Sequence, residues 1–338
     1  MEKKISCVLL VLLFSLAVFC LFGCKKENEI PTVIFDTDIG SSADDLFARQ
    51  MLCRYVDEGK VNLLGIVVDR TGEKNARIVD LMNTFYGHPE IPVGIVKNGL
   101  PHPKVWIDYS GLPDYTDENG EKLFDTSLNK YDQLPDGYVL YRKLLANQKD
   151  KSVTICSVGF LPCLTQLLSS APDEFSPLNG QDLVRKKVKV LILMGGVFGQ
   201  ALEKDFNFAQ GIDFSKRFFE LLPSDVDVIF SPAEVGDRVE YRPENVISDI
   251  SWTDVHPIKQ VYMNCNCNTG QRMWDVMAVL NAVNGNDDFL LSQRGFVTLT
   301  DNAETIFTPD PKGNCRYQLP RDKEWNDKVL EEIRRTNY

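Results

Sequence analysis

Thr32-Val33-Ile34-Phe35-Asp36-Thr37-Asp38-Ile39-Gly40-Ser41-Ser42-Ala43-Asp44-Asp45 runs from a β-branched, apolar segment into a turn and leaves it through two carboxylates. The first four residues suit a buried strand. Residues 43–55 then carry Leu46, Phe47, Met51 and Tyr55 at helical spacing. The unit is strand, loop, helix, and it repeats: residues 61–68 are a nearly continuous apolar run, 76–86 have a helical apolar face, and 91–96 are a third strand. Apolar strands alternating with helices predict an α/β fold, a mostly parallel sheet flanked by helices on both faces.

Residues 98–136 break this winding with a polar stretch that contains Pro and Gly, predicted to be a lid-like insertion. Helices over 138–145, 161–168, 214–222 and 272–283 then alternate with strands over 153–159, 188–194 and 226–230. Residues 296–300 and 304–307, around the turn Asp301-Asn302-Ala303, are expected to form a small antiparallel C-terminal element. No Pro- or Ser-rich linker interrupts 32–338, so a single domain is expected there.

The chain has 338 residues, 43% hydrophobic and 25% charged, as in ordinary globular proteins, which excludes a disordered, collagen-like or coiled-coil chain. Lys and Arg number 37 against 48 Asp and Glu, and the longest basic cluster is Arg185-Lys186-Lys187. A net charge of −11 argues against a nucleic-acid partner. Lys3 and Lys4, the apolar residues 5–22 and an abrupt polar switch at Lys25 predict a secretory signal over 1–23. The ending Leu21-Phe22-Gly23-Cys24 resembles a bacterial lipobox. It implies lipidation at Cys24, a tether over 24–31, and a place in the bacterial cell envelope, at the periplasmic face or the cell surface, with membrane contact through the lipid alone. A bilayer-spanning anchor is the competing reading of the apolar run. Cys53, Cys156, Cys163, Cys265, Cys267 and Cys315 would lie in a compartment that permits disulfides, with their pairing left open, and Cys265-Asn266-Cys267, too tight for a zinc knuckle, reads as structural or free thiols. His88 and His256, each before a proline, read as surface-loop residues, and Trp252 and Trp325 as packing.

Ligands of open parallel sheets bind outside the carboxyl ends of the strands, where Asp36, Asp38, Asp44 and Asp45 fall. Like charges about 4 Å apart repel by about 4 kcal/mol at an effective dielectric of 20, and a divalent cation is the simplest remedy. Carboxylates suit Ca²⁺ or Mg²⁺, and the lack of nearby His or Cys argues against zinc. Helix capping accounts for Asp44 and Asp45 and leaves Asp36 and Asp38 unexplained.

Residues 33–45 resemble the N-terminal aspartate fingerprint of the inosine-uridine-preferring nucleoside hydrolases. Further matches follow in that family's order: Gly65-Ile66-Val67-Val68-Asp69, Ser157-Val158-Gly159, Leu193-Met194-Gly195-Gly196, Asp205-Phe206-Asn207 and Trp274-Asp275. Together they span residues 32 to about 310. The resemblance implies a Rossmann-like core and a Ca²⁺-dependent enzyme that hydrolyses a ribonucleoside to ribose and free base. It further implies Asp38, Asp45 and Asp275 as carboxylate ligands of Ca²⁺, with the carbonyl of Val158. Asp44 would be the base that deprotonates the attacking water, Asp205 and Asn207 would hold ribose hydroxyls, and Met194 would line the ribose floor. The chemistry suits these residue types, because an oxocarbenium-like sugar needs a positioned water, a base and negative charge beside the ring.

The sequence also departs from the family. Ser42 stands where relatives with this longer loop carry an acid, Asp69 where Asn is usual, and Asp205 where Glu is usual. Trp274 occupies a position where some members have a His that protonates the leaving base; a Trp there can stack on a base and cannot donate as an acid. Tyr109, Tyr115, Asp114 and His102 in the insertion are candidates for that task, with a solvated cover as the plainer reading. Two rival functions stay open. One is a ribose- or nucleoside-binding lipoprotein without turnover. The other is a haloacid-dehalogenase-like phosphohydrolase using Asp36-Thr37-Asp38 and Gly285-Asn286-Asp287-Asp288. A homo-oligomer is left open.

Overall fold

In the computed structural model, which describes residues 29–199, 201–267 and 269–337, the quoted stretch forms the centre of the sheet. The signal segment and Cys24 lie outside the described residues. Strands β1 (Thr32–Thr37), β2 (Asn62–Arg70), β3 (Val93–Leu100), β4 (Val153–Ser157), β5 (Val188–Met194) and β6 (Asp227–Ser231) are mutually parallel, in the order β3-β2-β1-β4-β5-β6. β1 is paired along both edges, Thr32 with Asn62 on one side and with Val153 on the other, and all but its first residue are buried. Its alternating side chains feed two cores. Val33 and Phe35 pack with helices Asp44–Asp57, Glu73–Phe85 and Trp274–Asn284, while Ile34 packs with Gly137–Ala146, Pro162–Ser169 and Ile212–Leu221. The expected mostly parallel α/β architecture is present.

The chain runs outward from β1 to β3, returns to the middle as β4, and runs outward again to β6. Connections leaving β1 and β4 therefore diverge, which opens a crevice above their carboxyl ends. Asp36, Thr37 and Asp38 on one side and Ser157 and Val158 on the other stand at that crevice. Residues 101–136 belong to the return crossing and carry two short 3-10 turns, Leu112–Asp114 and Tyr131–Gln133. Polar clamps fix them: Arg77 donates twice to Asp114, and Asp80 accepts from the Ser127 amide and hydroxyl, the Leu128 amide and the Tyr131 hydroxyl. Tyr109, Leu112 and Phe124 are buried.

The antiparallel element is present as Gly295–Leu299 with Thr305–Pro309. Cys315–Leu319 joins it to β6, and helix Lys323–Arg335, capped by Asp322, closes the described chain. The sequence reading leaves these last two unassigned. Helix 274–284 starts two residues later than expected, because Gln271 and Arg272 form a short ladder with Glu240 and Tyr241. The six cysteines among the described residues are buried and free. His256 corrects an expectation: it is fully buried, with Nε2 3.1 Å from the Tyr86 hydroxyl and the ring edge-on to Phe85. Trp252 is 54% exposed, whereas Trp325 packs on Phe289 as expected. Among the described residues no helix is long and apolar enough to cross a membrane.

Candidate active site

Two helix N-termini converge on the crevice. The Asp44–Asp57 helix brings Asp44 and Asp45 in its first turn, and the Trp274–Asn284 helix brings Asp275. One oxygen from each of these three buried carboxylates lies within 4.8 Å of the others. The positive ends of both helices favour negative charge here. The loop is tied across the gap: Asp44 Oδ2 accepts from the Asp275 amide at 3.1 Å, and Gln271 Oε1 accepts from the Ala43 amide at 3.2 Å. Ser42 donates to Asp44 and accepts from Gln271 Nε2 at 2.8 Å, so its hydroxyl orients Asp44. Thr37 holds Asp45.

Burial raises every proton affinity in this group. Asp44 is pushed up to about 6, mainly by loss of water, with the Asp38 charge adding to it. Asp45 and Asp275 are held well above the carboxylate range by burial first and by their acidic neighbours second. Among the described residues no Lys or Arg makes ion-pair contact with any of the three. Ca²⁺ binds oxygens at about 2.3–2.6 Å, so opposed ligand oxygens sit about 5 Å apart. The 4.8 Å cluster matches that span, and its all-oxygen donors suit a hard divalent ion.

Asp38 is placed differently. It makes a buried ion pair with Arg70, and it is not one of the three carboxylates that converge. Val158 stands just past the end of β4, and its carbonyl accepts from Asn207 Nδ2 at 2.9 Å, which leaves one lone pair of that oxygen unused. Asn207 Nδ2 also lies 3.2 Å from Met194 Sδ, so the structure brings Val158, Met194 and Asn207 together. Asp205 is occupied as a cap: Oδ1 accepts from Phe208 N at 2.7 Å and Oδ2 from Gly196 N at 2.8 Å. Burial still pushes it up to about 6 against those amides.

Under the loop lies a second acidic pair. Asp36 accepts from the Tyr141 and Ser157 hydroxyls at 2.7 and 3.1 Å and is pushed up to about 6 by burial. Neither oxygen of the buried Asp69 has a hydrogen-bond partner of its own in the geometry, and burial and the Asp36 charge hold it well above its usual range. Gly159 closes this floor, since a β-carbon there would come 2.5 Å from the Asp38 amide nitrogen and 2.6 Å from Asp69 Oδ2.

Trp274 is partly buried against Gly236 and donates from Nε1 to Asp237 Oδ1 at 3.1 Å. The insertion's candidate acids already have partners. The Tyr109 hydroxyl donates to the Ser42 carbonyl, Tyr115 lies 3.1 Å from Cys265 Sγ, Asp114 holds Arg77, and His102 meets Arg70. Sequence reasoning missed Arg70 and Gln271. A lone arginine ending an apolar strand was the available signal for the first; Gln271 carries none, because it acts across a separation of 228 residues.

The phosphohydrolase reading finds no support here. Asp287 and Asp288 are exposed beyond the far end of an 11-residue helix whose first turn carries Asp275, roughly 15 Å along its axis.

No protein-family model matches the sequence, and no curated protein matches it. Solved structures do. A purine-preferring ribonucleoside hydrolase from Gardnerella vaginalis aligns with a TM-score of 0.67 at 15% identity, covering 90% of this chain and 99% of its own. The inosine-uridine-preferring nucleoside hydrolase of Bacillus anthracis gives 0.65 at 17% identity, and a plant nucleoside hydrolase 0.64 at 16%, each with the same two coverages. Likeness at such low identity over nine-tenths of the chain is likeness of architecture, and the fold of this chain is that of the nucleoside hydrolases.

Proposed function

We propose that the protein is an N-ribosyl hydrolase that cleaves the N-glycosidic bond of a ribonucleoside, giving ribose and free base, and that it depends on Ca²⁺. The observation that carries this reading is the convergence of Asp44, Asp45 and Asp275 at the crevice between β1 and β4, on a fold whose solved examples include nucleoside hydrolases. A calcium ion held by Asp45 and Asp275, with the Val158 carbonyl and Asp38 at its margin, would acidify a water and gather the ribose hydroxyls.

In this mechanism the chain's own groups do the following. Asp44, oriented by Ser42 and the Asp275 amide, takes one proton as the water oxygen bonds to C1′. The C1′–N bond breaks and its electron pair leaves with the base. The carboxylates beside the ring stabilise the developing positive charge. Asn207 and the sulfur of Met194 form the wall on which the ribose rests. With Trp274 unable to donate to a ring nitrogen as an acid, the departing base takes its proton from solvent. Free-ribose release from inosine and uridine, with and without chelator, tests the proposal.

We also propose that the chain is lipid-anchored at Cys24 in the bacterial envelope, a reading supported by the sequence of residues 1–26. Incorporation of labelled fatty acid into the native chain and not into Cys24→Ala supports it, and a native chain that takes up no label refutes it.

A further inference from the structure

Arg70 ends β2 inside an acidic site, and its side chain is wholly buried. NH2 pairs with Asp38 and donates to Ser41 Oγ at 2.8 Å, NH1 lies 2.7 Å from His102 Nδ1, and the guanidinium stands 5.0 Å over the Phe160 ring. An exposed arginine could swing aside when a cation arrives. This one is held by a carboxylate, a hydroxyl, an imidazole and an aromatic face, and Asp108 Oδ1 supports the imidazole from 3.3 Å.

We propose that Arg70 is a resident cation that keeps Asp38 from the inner ligands of the divalent ion, leaving that ion to Asp45 and Asp275 with the Val158 carbonyl, and so sets the ion's affinity. The inference rests on the divalent-ion reading above and deepens it. Two observations carry it. Asp38 lies outside the group of carboxylates whose oxygens converge, although it is close enough for its charge to act on all three. Its own charge is already neutralised by a guanidinium that cannot be deprotonated and has no route to water. A fixed positive charge beside the cluster also repels an incoming ion directly. Arg70 is thus a positioning residue, and its signature is metal affinity.

The test is calorimetric titration of Ca²⁺ into the chelated, detergent-solubilised full chain. Arg70→Gln should tighten the dissociation constant at least tenfold by releasing Asp38, while Arg70→Lys, which keeps the charge, should stay within about threefold of the native value. Asp38→Asn in the native background should weaken binding less than tenfold, against more than a hundredfold for Asp275→Asn. This last comparison decides the matter if Arg70→Gln does not fold. The proposal is overturned if Arg70→Gln binds no tighter than the native chain, or if Asp38→Asn costs as much as Asp275→Asn. A native chain that binds no Ca²⁺ beside an Arg70→Gln chain that does would support the role of Arg70 and refute calcium dependence. No binding by either refutes both.

Discussion

Removing divalent ions should make the protein lose stability as pH rises, and calcium should restore it. Asp44 is displaced from the ordinary value near 4 to about 6. Below pH 4 the folded and unfolded chains both hold this proton, and the group contributes nothing. Between about 4 and 6 the unfolded chain releases a proton that the native site keeps. The native state then binds more protons, and the unfolding free energy falls with pH. Above 6 the full cost stands. Two pH units at about 1.4 kcal/mol each make it about 3 kcal/mol. Asp45 and Asp275, raised in the same direction, add to the decline. A divalent ion takes the place of those protons, whereas Asp36 and Asp205, outside the cluster, titrate in either condition. Thermal denaturation followed by circular dichroism at pH 5, 6, 7 and 8, in chelator and in millimolar Ca²⁺, should therefore diverge with pH. By pH 8 the difference should reach about 5 °C or more. Parallel profiles in the two conditions would refute the reasoning.

Asp44→Asn keeps shape and capping but cannot accept the proton; ribose release should fall at least about a hundredfold with Ca²⁺ still bound, as read by a reducing-sugar assay beside calorimetry. Gly159→Ala places its methyl 2.5 Å from the Asp38 amide and should cost about 1–3 kcal/mol or more in urea unfolding; an unchanged midpoint would mean that the floor can yield. Trp274→Ala should weaken purine-nucleoside binding by about 1–3 kcal/mol if its ring stacks on the base, and leave p-nitrophenyl riboside unaffected. The native enzyme should cleave that riboside much faster than uridine, because nitrophenolate leaves without an acid; equal rates would reveal an efficient proton donor.

The sheet was legible because β1 and β4 are buried on both faces and therefore read as unbroken apolar runs. Cys315–Leu319 was not: only Cys315 and Gln318 of that strand are buried, and Gln318 satisfies itself with Ser231 and Asn281, so its polarity disguised a strand. His256 was misjudged for a related reason. A histidine before proline usually sits in a loop, and here the helix it caps is pressed against Phe85 and Tyr86. In the site, Asp44 and Asp45 could be read from their place at a strand-to-helix turn, and Asp275 only through the family resemblance. The attachment of Asp38 to Arg70 depends on which neighbouring strand ends beside β1, and spacing along the chain does not encode it.

The most direct measurement is free-ribose release from inosine and uridine by the purified chain, first as isolated, then after chelation, then after adding back Ca²⁺. Release that disappears with chelator and returns with calcium is the expected result. No release from either nucleoside at saturating Ca²⁺, by a protein that remains folded, would contradict the proposed hydrolysis and favour a binding protein built on the same fold.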